Sequence, residues 1–307
     1  MTSPQVSIIV PSYNGRNKVI RLLNSLEQQT YRSFEVIVVL DGSTDGSAAA
    51  IHSIEWKLFP LKIIEQKNNG RASARNTGAA QATTELLLFF DDDMIPASSC
   101  IQEFISFNST HKNRIALGEI LEPATKEDSE IKKYKDYLNT TWNSTLKTYR
   151  NAVIPSERVV LSAANFSIPT SLFNKLKGFD ESLKDIEDYD FALRARVEKI
   201  ETFYLDTAIA VHLDQFTFRK YAERSKAYLK NRILAASLKP DLYGQDPILK
   251  HQHKLFLKGL YSVMKYPFWL NLFDAGILQF VLPEKLRYKL YGVAITAYIH
   301  NQPKAGQ

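Results

Sequence analysis

Residues 86–96, LLLFFDDDMIP, set five consecutive apolar side chains directly against three aspartates. An apolar run with no polar gap leaves no face for water, so it reads as a strand covered on both sides. The three carboxylates that follow repel one another, and a divalent cation between them relieves that repulsion. Oxygen ligands on a short rigid turn suit Mg²⁺ or Mn²⁺. Because Asp91 and Asp93 flank Asp92, a metal-binding pair fits better than three equal ligands. The plainer alternative is a solvated turn, since Asp is common at turns and helix starts.

The segments before this one repeat the logic. QVSIIVPSY is a β-branched run ending in Pro11, and it leads into GRNKVIRLLNSLEQQ, where Val19, Leu22, Leu23 and Leu26 fall at helical spacing. FEVIVVLDGS predicts a second strand and turn, followed by a small-residue helix; LKIIEQ predicts a third strand; GRASARNTGAAQA predicts a helix packed through small residues. Strands alternating with helices predict a mostly parallel α/β sheet with flanking helices. Ligands in such sheets bind beyond the carboxyl ends of the strands. Those ends carry Pro11, Ser12, Tyr13 and Asn14, then Asp41 to Asp45, then the triple Asp.

Composition narrows the class. The chain has 307 residues, 45% hydrophobic and 23% charged, which suits a folded protein with a sizeable core. Cys100 is the single cysteine, excluding intrachain disulfides and cysteine metal clusters. The start is short and polar, so a signal peptide or spanning helix is not expected, and a cytoplasmic location is. The net charge of +6 is uneven: from Phe216 to Gln307 there are 15 Lys/Arg against 5 Asp/Glu, net +10, and the rest is net −4. The expected division is a catalytic domain over residues 1–215 and a basic, aromatic-rich helical region over 216–307.

VSIIVPSYN, VIVVLDGSTDGS, NNGRASARNTGAAQA, LLLFFDDD, AANFSIPTSLFNKLKGFDESL and DIEDYDFALRA occur in the order and spacing of glycosyltransferase family 2. The chain resembles these inverting enzymes from about Val6 to His212. The resemblance implies a GT-A fold, a Rossmann-like nucleotide-diphospho-sugar transferase. It implies transfer of a sugar from a nucleoside diphosphate, UDP by preference, to a hydroxyl of a saccharide or lipid-linked saccharide, as in cell-surface polysaccharide synthesis.

Residue by residue, it implies that Pro11, Tyr13 and Asp41 read the base, with Asp45 supporting their loop. Gly70, Arg71 and Arg75 match positions near the donor, an ordinary surface arginine being the alternative for Arg75. Asp91 matches the first acid of the D-x-D motif, on ribose or metal, and Asp93 the metal ligand; Asp92 counts with the donor site. His212 matches a further metal ligand, although a lone His ending an apolar strand is commonly structural. Asn165 is expected at the donor or acceptor, or in a turn. The implied cofactor is Mn²⁺ or Mg²⁺.

The second acidic group is KDIEDYDFALRARV, a helix in which Phe191, Leu193, Ala195 and Val197 can pack and whose first turn holds Glu187, Asp188 and Asp190. Acids at helix starts are favoured by the macrodipole alone. The resemblance makes the Glu187–Asp188 pair the source of the general base, Asp188 first and Glu187 as fallback. In KGFDESL, Lys177 stands where the family more often has glycine.

The tail reads as helices. FRKYAERSKAYLKNRILAASL puts Tyr221, Ser225, Tyr228 and Arg232 on one face, and later apolar segments are broken by Lys258, Lys265, Pro267, Lys285 and Lys289. It either packs on protein or contacts an anionic membrane at its inner face; no nucleic-acid motif accompanies the charge. The rival functions are a sugar-nucleotide nucleotidyltransferase and a non-catalytic nucleotide-sugar binding protein. The first expects a glycine-rich Arg/Lys loop that PSYNGRNK matches poorly, the second a loss of acids that are present here.

Overall fold

The computed structural model describes residues 3–213, 216–244, 246 and 258–301; His251 and His253, which have no motif around them in the sequence, lie outside them. In chain order the elements are β1 (Val6–Ser12), α1 (Arg16–Leu26), β2 (Phe34–Asp41), α2 (Ser47–His52), β3 (Leu61–Gln66), α3 (Arg71–Ala80), β4 (Leu86–Phe90), β5 (Met94–Pro96) and α4 (Cys100–Thr110). Then come β6 (Ile115–Leu121), α5 (Glu130–Leu146), β7 (Asn165–Pro169), α6 (Thr170–Lys175), α7 (Glu187–Val197) and β8 (Thr202–His212). The later helices are α8 (Phe218–Leu238), α9 (Pro240–Tyr243), α10 (Lys258–Met264), α11 (Pro267–Asp274) and α12 (Glu284–His300).

Two compact units form: one from residues up to Leu121 with Asn139–Leu213, the other from Glu122–Leu138 with the chain after Leu213. The first holds one eight-stranded sheet, ordered β3-β2-β1-β4-β7-β6-β8-β5. Strands β1 to β4 are mutually parallel, and β7 runs antiparallel between β4 and β6. Two reversals restore direction, so β6 and its parallel neighbour β8 point the same way as β4. The carboxyl ends of β1, β2, β4, β6 and β8 therefore share one edge.

Burial follows the apolar runs. All of β1 and β4 is buried, whereas β3, an edge strand, is half-exposed. One sheet face packs against Leu22, Leu23, Phe104 and Phe107. The other meets an aromatic cluster in which Phe89 stacks on Phe166 at 4.8 Å and touches Phe173 and Phe179. At roughly 1.5–3 kcal/mol per fully buried large side chain, such residues supply the main gross stabilisation of the sheet. In α7, Phe191, Leu193 and Ala195 are buried as expected, but Val197 is 62% exposed. It ends the helix and faces out, since alternate spacing cannot keep four helical residues on one face.

The second unit is helical around Tyr134, Phe218, Leu270, Phe273 and Tyr291. The buried stripe of α8 is Phe218, Ala222, Leu229, Arg232 and Ala235. Tyr221, Ser225 and Tyr228 border it, half-buried. Arg232 is held by a two-pronged ion pair to Asp246.

The loop before α7 carries backbone strain. Lys177 has φ 61° and Gly178 φ 64°, a region that costs an L side chain about 1–2 kcal/mol and glycine nothing. A Cβ on Gly178 would meet Asn76 Oδ1 at 2.6 Å. Glycine is thus required at 178 and would relax 177. Lys177→Gly should raise unfolding stability by about 1 kcal/mol, after the unfolded-state entropy of glycine is set against the relief. A urea midpoint that fell would refute the strain.

Candidate active site

The sheet edge delivers the three aspartates to three different partners. Asp91 Oδ1 accepts from Arg75 Nη2 at 2.5 Å, Asp92 Oδ2 accepts from Ser12 Oγ at 2.5 Å, and Asp93 Oδ2 pairs with Lys18 Nζ at 3.0 Å. The repulsion expected between them is thus met by side chains, two of them cationic. Asp93 is also reached by His212: β5 pairs antiparallel with β8, Met94 opposite His212, and His212 Nε2 lies 3.3 Å from Asp93 Oδ1. Burial alone would raise the Asp93 carboxyl, but His212 and Lys18 outweigh it and hold it well below the usual range. Asp92 goes the other way. Burial, reinforced by the Asp93 and Asp91 charges, pushes it up to about 7 despite the Ser12 hydrogen bond and Lys18.

The buried member of this edge is Arg75. It is 2% exposed, and its guanidinium joins Asp91 to Glu187, donating from Nη1 to Glu187 Oε1 at 2.7 Å. The side chain also lies 5.5 Å from the Phe179 ring centre. Burial opposes its charge, but Asp91 and Glu187 hold the proton more firmly than usual. The surface alternative for Arg75 is therefore corrected: it is an internal cation tying the acid after β4 to the acid starting α7.

That tie separates the two adjacent acids of α7. Glu187 is buried, bonded to Arg75, and 3.8 Å from Arg71 Nε. Asp188 is half-buried, accepts the N–H of Tyr189 at 2.7 Å, and has no ion pair among the described residues. Its carboxyl is pushed upward, first by burial and then by the Glu187 charge, with Arg75 offsetting part of this. Asp190 faces elsewhere, pairing with Arg194, which donates to the Leu176 and Gly178 carbonyls and braces the strained loop.

Other sequence-predicted residues fall into distinct roles. Asp41 is buried and accepts from Gln66 Nε2 (2.8 Å) and the N–H groups of Asn69 (2.9 Å) and Gly70 (2.8 Å). It pins the loop into α3 and keeps one of a carboxylate's four acceptor positions. Asp45 accepts the Arg16 N–H at 2.9 Å and the Ser47 hydroxyl and N–H. Pro11 is buried in β1, Gly70 has φ 91° at the start of α3, and Tyr13 is 57% exposed. Arg71 is exposed, 3.4 Å from Asp185.

Asn165 departs from expectation. It is fully buried, and its amide donates to the Glu119 and Ala208 carbonyls at 3.0 and 2.9 Å. There it stitches the irregular step where β6 and β8 shift register. Facing backbone within the sheet, it is neither a turn residue nor an open donor or acceptor contact.

Ser12, Gly15 and Lys18 contact the acids but were not singled out from sequence as site residues. A Cβ on Gly15 would sit 2.0 Å from Asp92 Oδ2, so only glycine admits that carboxylate. The glycine after PSYN was the available signal; the Lys18 contact, 75 residues away in sequence, had none.

Among the described residues, no group of three His, Cys, Asp or Glu side chains could hold a metal. Asp91, expected as a ligand, is turned to Arg75. The pair that fits is Asp93 with His212, a carboxylate and an imidazole side by side on paired strands. Two protein donors suit a divalent ion that keeps its remaining positions for water and phosphate oxygens.

The profile of glycosyl transferase family 2 matches residues 7–177, more than half the chain. The chain belongs to that family. It is 31% identical over 205 residues to an uncharacterized glycosyltransferase of Haemophilus influenzae, covering 65% of this chain and 64% of that protein. It is 26% identical over 267 residues to the putative glycosyltransferase EpsH of Bacillus subtilis, covering 85% and 67%. The chain thus spans less than two thirds of the Haemophilus relative. Among solved structures, it is similar to the mannosyltransferase PcManGT of Pyrobaculum calidifontis (TM-score 0.64, 18% identity, 98% of this chain and 88% of that one). It is also similar to S. aureus TarS 1–349 (TM-score 0.55, 20% identity, 96% and 89%). The fold of this family 2 member is the GT-A fold with a helical C-terminal region.

Breaking a buried ion pair from one side strands charge in low dielectric. Arg75→Met should lower the unfolding free energy by about 3–5 kcal/mol, measured by urea denaturation. A loss under about 1 kcal/mol would show the bridge to behave as a solvated surface pair.

Proposed function

We propose that this family 2 member moves a sugar from a nucleoside diphosphate, UDP by preference, to a hydroxyl of a saccharide or lipid-linked saccharide, inverting the anomeric centre. The observation that carries the reading is Asp188, a carboxylate with no ion pair among the described residues and a pKa raised by burial, beside the Arg75-bound Glu187. A base must be ionised and within reach of the proton it takes, and a carboxylate already spent on an arginine is a poor one. TarS 1–349 was solved with UDP and with UDP-GlcNAc, and PcManGT with GDP-Man and Mn²⁺. That supports a sugar nucleotide as donor.

In this reading Tyr13, with its exposed ring, and Pro11 line the base, and the remaining acceptor position of Asp41 takes the uracil N3–H. Asp45 and Gly70 shape that loop, and Arg71, exposed beside Glu187, faces the donor. Asp91 and Arg75 form a fixed wall. Asp92, beside Ser12 and Gly15, lies on the donor side of the strand end. Asp93 and His212 would hold a divalent metal, which when bound neutralises charge on the diphosphate. Asp188 accepts the acceptor hydroxyl proton as the oxygen bonds to the anomeric carbon. The bond from that carbon to the diphosphate breaks on the opposite face, giving inversion in one displacement.

Asp188→Asn should lower kcat by about 10²–10⁴-fold with UDP binding retained by calorimetry. Unchanged turnover would remove Asp188 as base, and release of pyrophosphate instead of nucleoside diphosphate would favour the nucleotidyltransferase. Because the carboxyl must lose its proton to act, kcat/KM should fall as pH drops. The midpoint should lie above the ordinary carboxylate value near 4. A flat profile down to that value would contradict the raised carboxyl.

Asp93→Asn should weaken Mn²⁺ binding in the presence of UDP by at least about tenfold, read by calorimetry. Equal affinity would remove it as a ligand.

A further inference from the structure

The second unit has an outer surface that its own core leaves uncovered. Helices α10, α11 and α12 and the turn at Ile277–Phe280 pack together through Met264, Leu270, Phe273, Tyr288 and Tyr291. Nineteen large apolar side chains are exposed among the described residues, and eight of them lie between Leu260 and Leu286. The most exposed are Phe280 at 83% and Val281 at 67%, at the tip of the turn between α11 and α12. Single exposed apolar residues are ordinary, but a dense group marks an interaction surface.

Its charges select the partner. Lys285 and Lys289 are exposed on α12 just beyond the tip, and Lys265 stands over the Tyr266 ring at 5.4 Å. The acids nearby are Glu284, at the start of α12, Glu130, which is buried and paired with Arg287 at 2.8 Å, and Asp274, whose carboxylate accepts the Phe218 N–H at 2.6 Å and so caps α8. Lysine is depleted in protein interfaces, whereas apolar tips flanked by lysines suit the boundary of an anionic bilayer. No helix among the described residues is long and apolar enough to cross a membrane.

We infer that the α11–α12 turn seats on an anionic lipid surface, with Phe280 and Val281 inserted among the acyl chains and Lys285 and Lys289 on the headgroups. The inference rests on the proposed transfer reading only for its use, bringing the enzyme to a lipid-linked acceptor; binding itself is read without donor or turnover.

The test is sedimentation of the full chain with phosphatidylcholine vesicles, with and without phosphatidylglycerol, at low and high salt. The wild type should bind the anionic vesicles, less at high salt. The double variant Phe280→Ser/Val281→Ser should lose about tenfold or more in partitioning, and Lys285→Glu/Lys289→Glu should lose the preference for anionic lipid. Both leave the core untouched, so circular dichroism and the unfolding midpoint should match wild type. Absence of wild-type binding at low salt overturns the inference, as does undiminished binding by the serine variant. So does a wild type that ignores vesicles but self-associates through these residues in sedimentation velocity. Sugar transfer to a soluble acceptor without vesicle binding would sink this inference and leave the proposed function standing.

Discussion

The acid-bearing edge of the sheet depends on one buried cation. Arg75 reaches with its two terminal nitrogens to Asp91, just after β4, and Glu187, at the start of α7. Without it, two carboxylates would lie near one another with no cation between them, and like charges repel. With it, each has a cationic partner and their positions become mutually fixed. Helix α3 extends the effect, because Arg71 lies one turn before Arg75 and approaches Asp185 and Glu187. Asn76 exchanges two 2.9 Å hydrogen bonds with the backbone of Phe179. One helix thus sets the place of the whole segment that delivers the second acidic pair.

Division of labour among the acids follows. Side chains adjacent on a helix diverge by about 100°, so an arginine that captures Glu187 leaves Asp188 to a different environment. The triple Asp shows the same principle at a strand end. One member is paired with the arginine, one is hydrogen-bonded to Ser12 and pushed above the usual carboxylate range by burial, and one is drawn to a lysine and a histidine. Like residues are driven to unlike states by what the topology puts beside each.

Much of this was legible in the sequence, for physical reasons. Central parallel strands are buried on both faces, so β1, β2 and β4 show as uninterrupted apolar runs, and α1 shows its core face as Val19, Leu22, Leu23 and Leu26. The convergence of acids followed from strand ends sharing an edge. Long-range pairing was not legible. Arg75 and Glu187 are 112 residues apart, and nothing local distinguishes a buried arginine on a small-residue helix from an exposed one. Asn165 misled because an Asn near a strand start reads as polar and available. Its carbonyl partners exist only where β6 and β8 slip register. The three-residue β5 was too short to show any period, yet its pairing is what brings His212 to Asp93.

That last pairing shows why the sheet reverses twice. Were β7 parallel to β4, β6 and β8 would point away and His212 would end on the opposite edge, far from Asp91, Asp92 and Asp93. A single antiparallel strand in the middle returns β8 to the direction of β4. The short β5 then closes on β8 in register, with Met94 opposite His212. The Leu213 N–H donates to the Asp93 carbonyl at 3.0 Å, locking the register one residue on. Beside this pairing, His212 Nε2 lies 3.3 Å from Asp93 Oδ1. The proximity is set within the chain, and in the proposed function a pair held in this way would lose little conformational entropy on binding a cation.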